Sequence, residues 1–225
     1  MTTVRARRLA LLLLATAPGA GAAPLARSIA VDGDLTDWVD VLANPMNSAR
    51  DGDGSTLTCG NSTDADCPVP ARANDLIRFA WTFDSSAWSF YVERSGTSSA
   101  SQDLLVYLDT DRDGLMRSGE PVLVIDLPGD QSTTSGTVRG YVPNTSGGDA
   151  LTDPAGQADG WDVPGRLSSG SGSGSVPMAS DRLGGTRWEG SVSWPRLGLR
   201  AYEPVFFHVA LATGLNLPGD VTDNM

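Results

Sequence analysis

Short runs of alternating apolar and polar residues recur along the chain, and turn-forming residues separate them. In the two clearest runs, the apolar residues that share a face are Ile77, Phe79, Trp81 and Phe83 in the first and Val205, Phe207, Val209 and Leu211 in the second. A period of two puts these side chains on one face of a β-strand, where they predict a core. No window shows a long apolar repeat with the helical period of about 3.6 residues.

The pattern therefore predicts an all-β fold: a single antiparallel β-sandwich of about nine strands with long polar loops. The predicted strands are Ser28–Val31, Leu76–Phe83, Trp88–Arg94, Asp103–Asp109, Pro121–Leu127, Thr137–Val142, Ser175–Ala179, Arg187–Trp194 and Pro204–Thr213. Two polar stretches, about 45–74 and about 146–174, do not have a strand pattern. We interpret both as insertions in one domain that covers residues 24–225, because the segments after them are too few for a second core.

The first 23 residues predict a secretory signal peptide. A basic start, MTTVRARR, precedes the apolar run LALLLLATA and small residues that favour cleavage near Ala22 or Ala23. The apolar run has about 9 residues, well short of the roughly 20 that span a bilayer, so no membrane span is expected. We expect the mature chain to be secreted, periplasmic or held at the cell surface.

The net charge limits the classes of partner, and the cysteine content limits the redox chemistry. The net charge of −11 would repel nucleic acid and anionic membranes, so neither is expected as a partner. The two cysteines, Cys59 and Cys67, are predicted to form a disulfide in an oxidising compartment. Redox catalysis would favour a CxxC pair, which this spacing does not provide.

The segment Asp109–Glu120, DTDRDGLMRSGE, has the spacing of an EF-hand-type calcium loop. Asp109, Asp111 and Asp113 occupy positions 1, 3 and 5 of that template, and Glu120 occupies position 12. Leu115, at position 7, would contribute its backbone carbonyl. Calcium prefers about 6–8 oxygen ligands, so these five residues predict a structural calcium site.

The setting of this loop differs from an EF-hand. Strand-like sequence flanks it on both sides, Pro121 would block a following helix, and Arg117 brings a positive charge that should weaken binding. The loop would therefore close a β-hairpin, and an ion-free Asp/Gly-rich turn is the alternative. A second acidic cluster has fewer alternating acids and predicts a weaker site; its members are Asp51, Asp53, Asp64 and Asp66.

Two further motifs carry a family resemblance. IAVDGDLTDW, Ile29 to Trp38, and RWEGSVSWPRLGL, Arg187 to Leu199, resemble the opening and late strands of secreted domains of the DOMON and family-nine carbohydrate-binding module group, as does DLLVYLDTDRDG. The resemblance implies a β-sandwich whose relatives bind sugars or haem or serve as accessory domains. We expect Trp38 to fold over one end of the sandwich as core, with Asp32 and Asp37 as backbone caps.

Other candidate chemistry is weaker. His208, the single histidine, lies on an apolar strand and is interpreted as a hydrogen-bonded strand residue; a haem would need Met116 or Met178 as a second ligand. No G-x-S-x-G motif supports a hydrolase. Aromatic residues that could stack on sugar rings are Trp81, Trp88, Tyr91, Trp161, Trp188 and Trp194.

These observations favour an exported, calcium-binding β-sandwich that acts as a binding or accessory module, and not an enzyme. Carbohydrate or another surface protein is the expected partner. The alternatives are a carbohydrate-binding module proper, a structural protein of the envelope or matrix, and a haem-binding electron-transfer domain.

Overall fold

The computed structural model describes residues 23–50, 76–94, 102–127, 135–143, 145–151, 166–167, 175–180, 186–212 and 221–224. Within these ranges the chain forms antiparallel β-sheets with a few short helical turns, which confirms the predicted all-β sandwich. No helix in the described ranges has the length and apolar character that a membrane crossing requires.

A five-stranded sheet forms one layer, in the order β1-β2-β3-β11-β10. Its strands are β1 Ser48–Arg50, β2 Leu76–Phe83, β3 Ala87–Arg94, β10 Met178–Ser180 and β11 Arg187–Ser193. In the described ranges, the helical elements are the 3-10 turns Leu35–Trp38, Pro45–Asn47 and Trp194–Leu197 and the short helix α1 Val39–Ala43. The turn Trp194–Leu197 follows β11, and the other helical elements precede β1.

A six-stranded sheet forms the other layer, in the order β13-β12-β4-β6-β7-β9. Its strands are β4 Gln102–Asp109, β6 Pro121–Leu127, β7 Ser135–Val142, β9 Arg166–Leu167, β12 Phe206–Ala212 and β13 Val221–Asn224. A small two-stranded sheet pairs β5 Leu115–Met116 with β8 Asp149–Ala150. The predicted strands thus recur with bounds shifted by a few residues, except for Ser28–Val31.

The main core lies between the two large sheets. Phe79 of β2 contacts Phe207 of β12, with 5.7 Å between the ring centroids. Val209 and Leu211 are buried in the same cluster, which confirms the predicted apolar face of β12. Apolar burial of this kind contributes about 25 cal/mol per Å² and holds the layers together.

The predicted face of β2 is wrong at its first residue. A β-bulge between Leu76 and Arg78 shifts the register against β3, so Leu76 is fully buried in the core while Ile77 is only partly buried. After the bulge the alternation holds, because Phe79, Trp81 and Phe83 all pack in or against the main core. An extra residue in one strand turns the following side chains to the opposite face.

The outer face of the six-stranded sheet is also covered. A second cluster contains Tyr107 of β4, Tyr141 of β7 and Met116 of β5, all buried. The β5–β8 pair therefore packs on the sheet, so β4 and β6 are buried on both sides. Burial on both faces explains the nearly continuous apolar run PVLVIDL of β6.

Trp38 covers the outer face of the five-stranded sheet. The prediction that it folds over one end of the sandwich is wrong. It is fully buried against Tyr91 of β3, with 5.7 Å between the ring centroids, and shares a cluster with Ala80 and Val41. Ala80 and Tyr91 face away from the main core, opposite to Phe79 and Phe90 along their strands. Trp38 is therefore core, as predicted, but in a third layer.

The prediction of a strand at Ser28–Val31 is wrong. Backbone N–H groups in this segment donate hydrogen bonds to side chains and not to the backbone of a neighbouring strand. The backbone N–H of Ala30 donates to Asp37 Oδ2 at 2.9 Å, and the N–H of Arg27 donates to Thr82 Oγ1 at 3.0 Å. Asp32 Oδ1 accepts from Asp34 N at 2.8 Å. Asp32 and Asp37 are thus backbone caps, as predicted.

Glu189 of β11 fastens this N-terminal segment to the sheet. Its side chain has no solvent exposure. Oε1 accepts from Asp32 N at 2.9 Å and Gly33 N at 2.7 Å, and Oε2 accepts from Trp38 Nε1 at 2.8 Å. Burial raises the pKa of Glu189, and these hydrogen bonds oppose that rise.

The predicted insertions contain regular structure at their edges. The first begins with the 3-10 turn Pro45–Asn47 and strand β1, which pairs with β2. The second contains β8 and β9, which pair with β5 and β7. These strands are only two or three residues long, so no hydrophobic periodicity could predict them from the sequence.

We predict that Glu189→Gln destabilises the fold by about 1–3 kcal/mol, because an amide nitrogen would face backbone or indole N–H donors that need an acceptor. The midpoint and slope of urea unfolding measure this loss. Asp40→Asn is the control, since it breaks the exposed ion pair with Arg27 and should change stability by less than about 1 kcal/mol. Equal effects of the two variants would contradict the role of Glu189.

We also predict that Gly190→Ala costs about 1–3 kcal/mol, because a Cβ there would overlap the Phe90 ring and the Met178 sulfur in the core. Gly147→Ala is the matched control, since a Cβ at Gly147 meets no heavy atom within 4 Å. Thermal unfolding of both variants checks the difference, and an unchanged midpoint for Gly190→Ala would show that this packing is wrong.

Candidate metal centre

The loop between β4 and β6 brings three carboxylates together. Asp109, Asp111 and Glu120 each have one carboxylate oxygen that lies within 4.8 Å of those of the other two. Asp109 ends β4 and Glu120 directly precedes β6, so the hairpin itself sets their separation. Three negative charges at this spacing repel one another, and a cation between them would remove that repulsion.

Backbone N–H groups hold Asp109 in a fixed orientation. Its side chain is fully buried; Oδ1 accepts from Arg112 N at 2.5 Å and Oδ2 accepts from Gly114 N at 2.7 Å. Gly114 adopts φ +84°, a left-handed conformation that glycine accepts readily. The template position of this glycine is thus a backbone requirement of the turn, as the spacing predicts.

Glu120 closes the loop from the other side. It is 8% exposed, and Oε1 accepts from Thr110 N at 2.7 Å while Oε2 accepts from Arg117 N at 2.7 Å. Oε1 also accepts from Thr110 Oγ1 at 3.0 Å, so Oε2, with one N–H donor and two lone pairs, is the oxygen better able to contribute to a cation. Both oxygens of Glu120 are therefore oriented by the loop before any ion binds.

Asp113 does not belong to the group of three. Its Oδ2 accepts from Arg117 Nε at 2.7 Å and also from the second guanidinium nitrogen of Arg117. This hydrogen bond holds the pKa of Asp113 below its usual value. The guanidinium also donates to Gly147 O at 2.8 Å and lies 3.8 Å from Asp111. A cation at Asp113 would have to displace Arg117, and the predicted weakening of binding by Arg117 stays a prediction.

The backbone of Leu115 belongs to β5. Leu151 N donates to Gly114 O at 2.9 Å, and Leu115 pairs with Ala150 across the two-stranded sheet. Successive carbonyls of a strand point to opposite sides, so Leu115 O is directed away from β8. The predicted backbone ligand therefore remains compatible with this loop.

Several predicted features lie outside the described residues. These are Cys59 and Cys67, the second acidic cluster of Asp51, Asp53, Asp64 and Asp66, and Trp161. The signal-peptide prediction also concerns a segment of which only Ala23 is described. The disulfide and the second cluster stay predictions.

His208 lies in a strand, β12, as predicted, and its side chain is on the outer face of the six-stranded sheet. It is 8% exposed, and its ring centroid is 6.3 Å from that of Tyr107. Burial lowers the pKa of His208 to about 4. Met116 is buried on the same face of the sheet, whereas Met178 packs against the main core on the other layer. Only Met116 therefore lies on the same side of the sheet as His208.

The aromatic candidates separate into two groups. Tyr91 and Trp188 are buried within clusters and line no described cavity. Trp88 and Trp194 are also buried in the main core, and with the partly buried Trp81 they line a cavity of about 260 Å³ at one end of the sandwich. The sequence reasoning missed Tyr202 and Glu203, which also line it. The sequence feature that could have indicated them is an aromatic residue next to an acidic one in the turn before β12.

The chain matches no protein-family model and no curated protein.

We predict that stability falls as the pH drops from 7 to 5, because unfolded His208, with an ordinary pKa near 6.5, binds a proton that the buried ring excludes. The expected loss is about 2 kcal/mol. Urea unfolding at both pH values measures it, and His208→Gln should remove most of the difference. An identical pH dependence in the variant would show that the buried histidine does not cause it.

Proposed function

We propose that this protein is an exported β-sandwich whose β4–β6 hairpin is fastened by calcium, and that it serves as a binding or accessory module outside the cytoplasm. The observation that carries the proposal is the approach of Asp109, Asp111 and Glu120 to within 4.8 Å at the mouth of one hairpin. The signal-peptide pattern of the first 23 residues supports export.

Calcium fits this donor set better than other divalent ions. All three side chains offer hard carboxylate oxygens, which calcium prefers. Zinc and copper favour imidazole or thiolate ligands, and the group contains neither. Magnesium needs a tighter octahedron, which three carboxylates fixed by backbone hydrogen bonds match less well than the looser calcium shell.

The two-layer scaffold supports the role of a module. Both large sheets are covered on their outer faces, by the Trp38 cluster on one side and the β5–β8 pair on the other. The loop joins β4 and β6, two neighbouring strands of the six-stranded sheet, so an ion there would stiffen a rigid element. Calcium would then contribute to stability by binding the folded state alone.

We predict that calcium raises the melting temperature of the exported protein, with a dissociation constant on the order of 10⁻⁴–10⁻³ M, as in extracellular modules. At ten times that constant the gain is about 1.4 kcal/mol, or roughly 3–6 °C for a domain of this size. Asp109→Asn and Glu120→Gln should lose the gain. Differential scanning fluorimetry with calcium and with chelator measures it.

Two further variants sharpen this test. Arg117→Gln should strengthen calcium binding several-fold, because it removes a positive charge beside the site. Asp126→Asn is the matched control, since this exposed carboxylate near the far end of β6 should leave the calcium effect unchanged. A melting temperature that does not respond to millimolar calcium in the wild type would disprove the proposed site.

A further inference from the structure

An aromatic cavity opens at one end of the sandwich, between the two large sheets. Its volume is about 260 Å³, and a cavity of about 150 Å³ already holds a benzene molecule. Six aromatic side chains form most of its wall: Trp81, Phe83, Trp88, Trp194, Tyr202 and Phe207. Phe206, beside Phe207, pairs with Asp109, so the cavity and the acidic loop lie at the same end of the fold.

The rings are crossed and do not stack flat on one another. Trp81 and Phe207 meet edge to face at 4.8 Å and 76°, and Phe83 meets Tyr202 at 5.7 Å and 80°. These contacts hold the rings at steep angles to one another around the cavity that they line. Trp194 Nε1 donates to Asp84 O at 2.8 Å, which fixes that indole and occupies its polar group.

The rim adds a charge and an exposed ring. Tyr202 is 57% exposed and has φ +65°, a conformation that few residues other than glycine adopt. Glu203 lies next to it at the cavity, and its Oε2 accepts from Arg200 N at 2.9 Å, which anchors the carboxylate at the turn. The described lining residues include this acid and no basic side chain.

Electrostatics select the kind of guest. The faces of aromatic rings carry negative potential and attract cations, most strongly where water is excluded. The Glu203 carboxylate and the net charge of −11 act in the same direction. A sugar would need several hydrogen-bonding partners for its hydroxyl groups, and the described side chains of the wall are almost entirely apolar.

We propose that this cavity binds a small organic cation that carries methylated ammonium, with the aromatic rings around the methyl groups and Glu203 at the charge. This inference rests on the proposed role as a binding module, whose ligand class it names. It does not depend on the calcium loop, because none of the lining residues belongs to that loop.

The test uses the exported protein and titrates it with choline and with 3,3-dimethylbutan-1-ol, the uncharged molecule of the same shape. Tryptophan fluorescence and calorimetry report binding. Choline should bind at least about ten-fold more tightly than the alcohol, a difference of about 1.4 kcal/mol. Phosphocholine distinguishes a free cation from a headgroup: it should bind more weakly, because its phosphate adds negative charge near Glu203.

Variants assign the binding to this cavity. Glu203→Gln should weaken choline binding about ten-fold. Tyr202→Gly should also weaken it, and glycine accepts the backbone conformation of that position. Asp126→Asn, which removes an equal charge near the opposite end of the sandwich, should leave binding unchanged.

Three results would overturn the proposal: equal binding of choline and the alcohol, binding of glucose or cellobiose without binding of choline, or choline binding that Glu203→Gln does not weaken. A calcium melt of the same sample separates this proposal from the calcium site. If choline binds and calcium does not raise the melting temperature, the cavity proposal stands and the calcium site is wrong. If calcium raises the melting temperature and choline does not bind, the calcium site stands and the cavity proposal is wrong.

Discussion

A carboxylate removed from water must find hydrogen-bond donors or a cation, and this fold buries three such groups at decisive places. Glu189 meets the requirement with N–H donors from Asp32, Gly33 and Trp38. That single side chain joins the N-terminal segment to β11, and Trp38 then covers Tyr91 on the outer face of the sheet. The two sequence motifs of the family resemblance, at Ile29–Trp38 and Arg187–Leu199, therefore meet through one carboxylate.

Asp109 and Glu120 differ from Glu189 because other carboxylates lie close to them. Each accepts backbone N–H groups, as Glu189 does, but they share their surroundings with a third carboxylate, Asp111. Donors orient these side chains without neutralising them, so the charge remains at the mouth of the β4–β6 hairpin. A calcium ion is the group that would complete this arrangement, and it would join the two strands that form the centre of the six-stranded sheet.

Local patterns predicted much of this structure, and distant contacts account for the rest. Local sequence gave β2 and β6 their observed bounds, because alternation marks β2 after its first residues and a nearly continuous apolar run marks β6. The bulge at Ile77 and the position of Trp38 depend on partners far along the chain, as does the role of Glu189. Loop spacing identified Asp109, Asp111 and Glu120 but also included Asp113, since spacing alone does not reveal that Arg117 pairs with it.

We propose that the carboxylates at the mouth of the β4–β6 hairpin hold calcium. Crystals of the protein grown with millimolar calcium, measured for anomalous scattering, test this proposal. We expect a peak with oxygens of Asp109, Asp111 and Glu120 at about 2.3–2.6 Å from it. An ordered loop with the same carboxylate positions and no peak among them would contradict the claim.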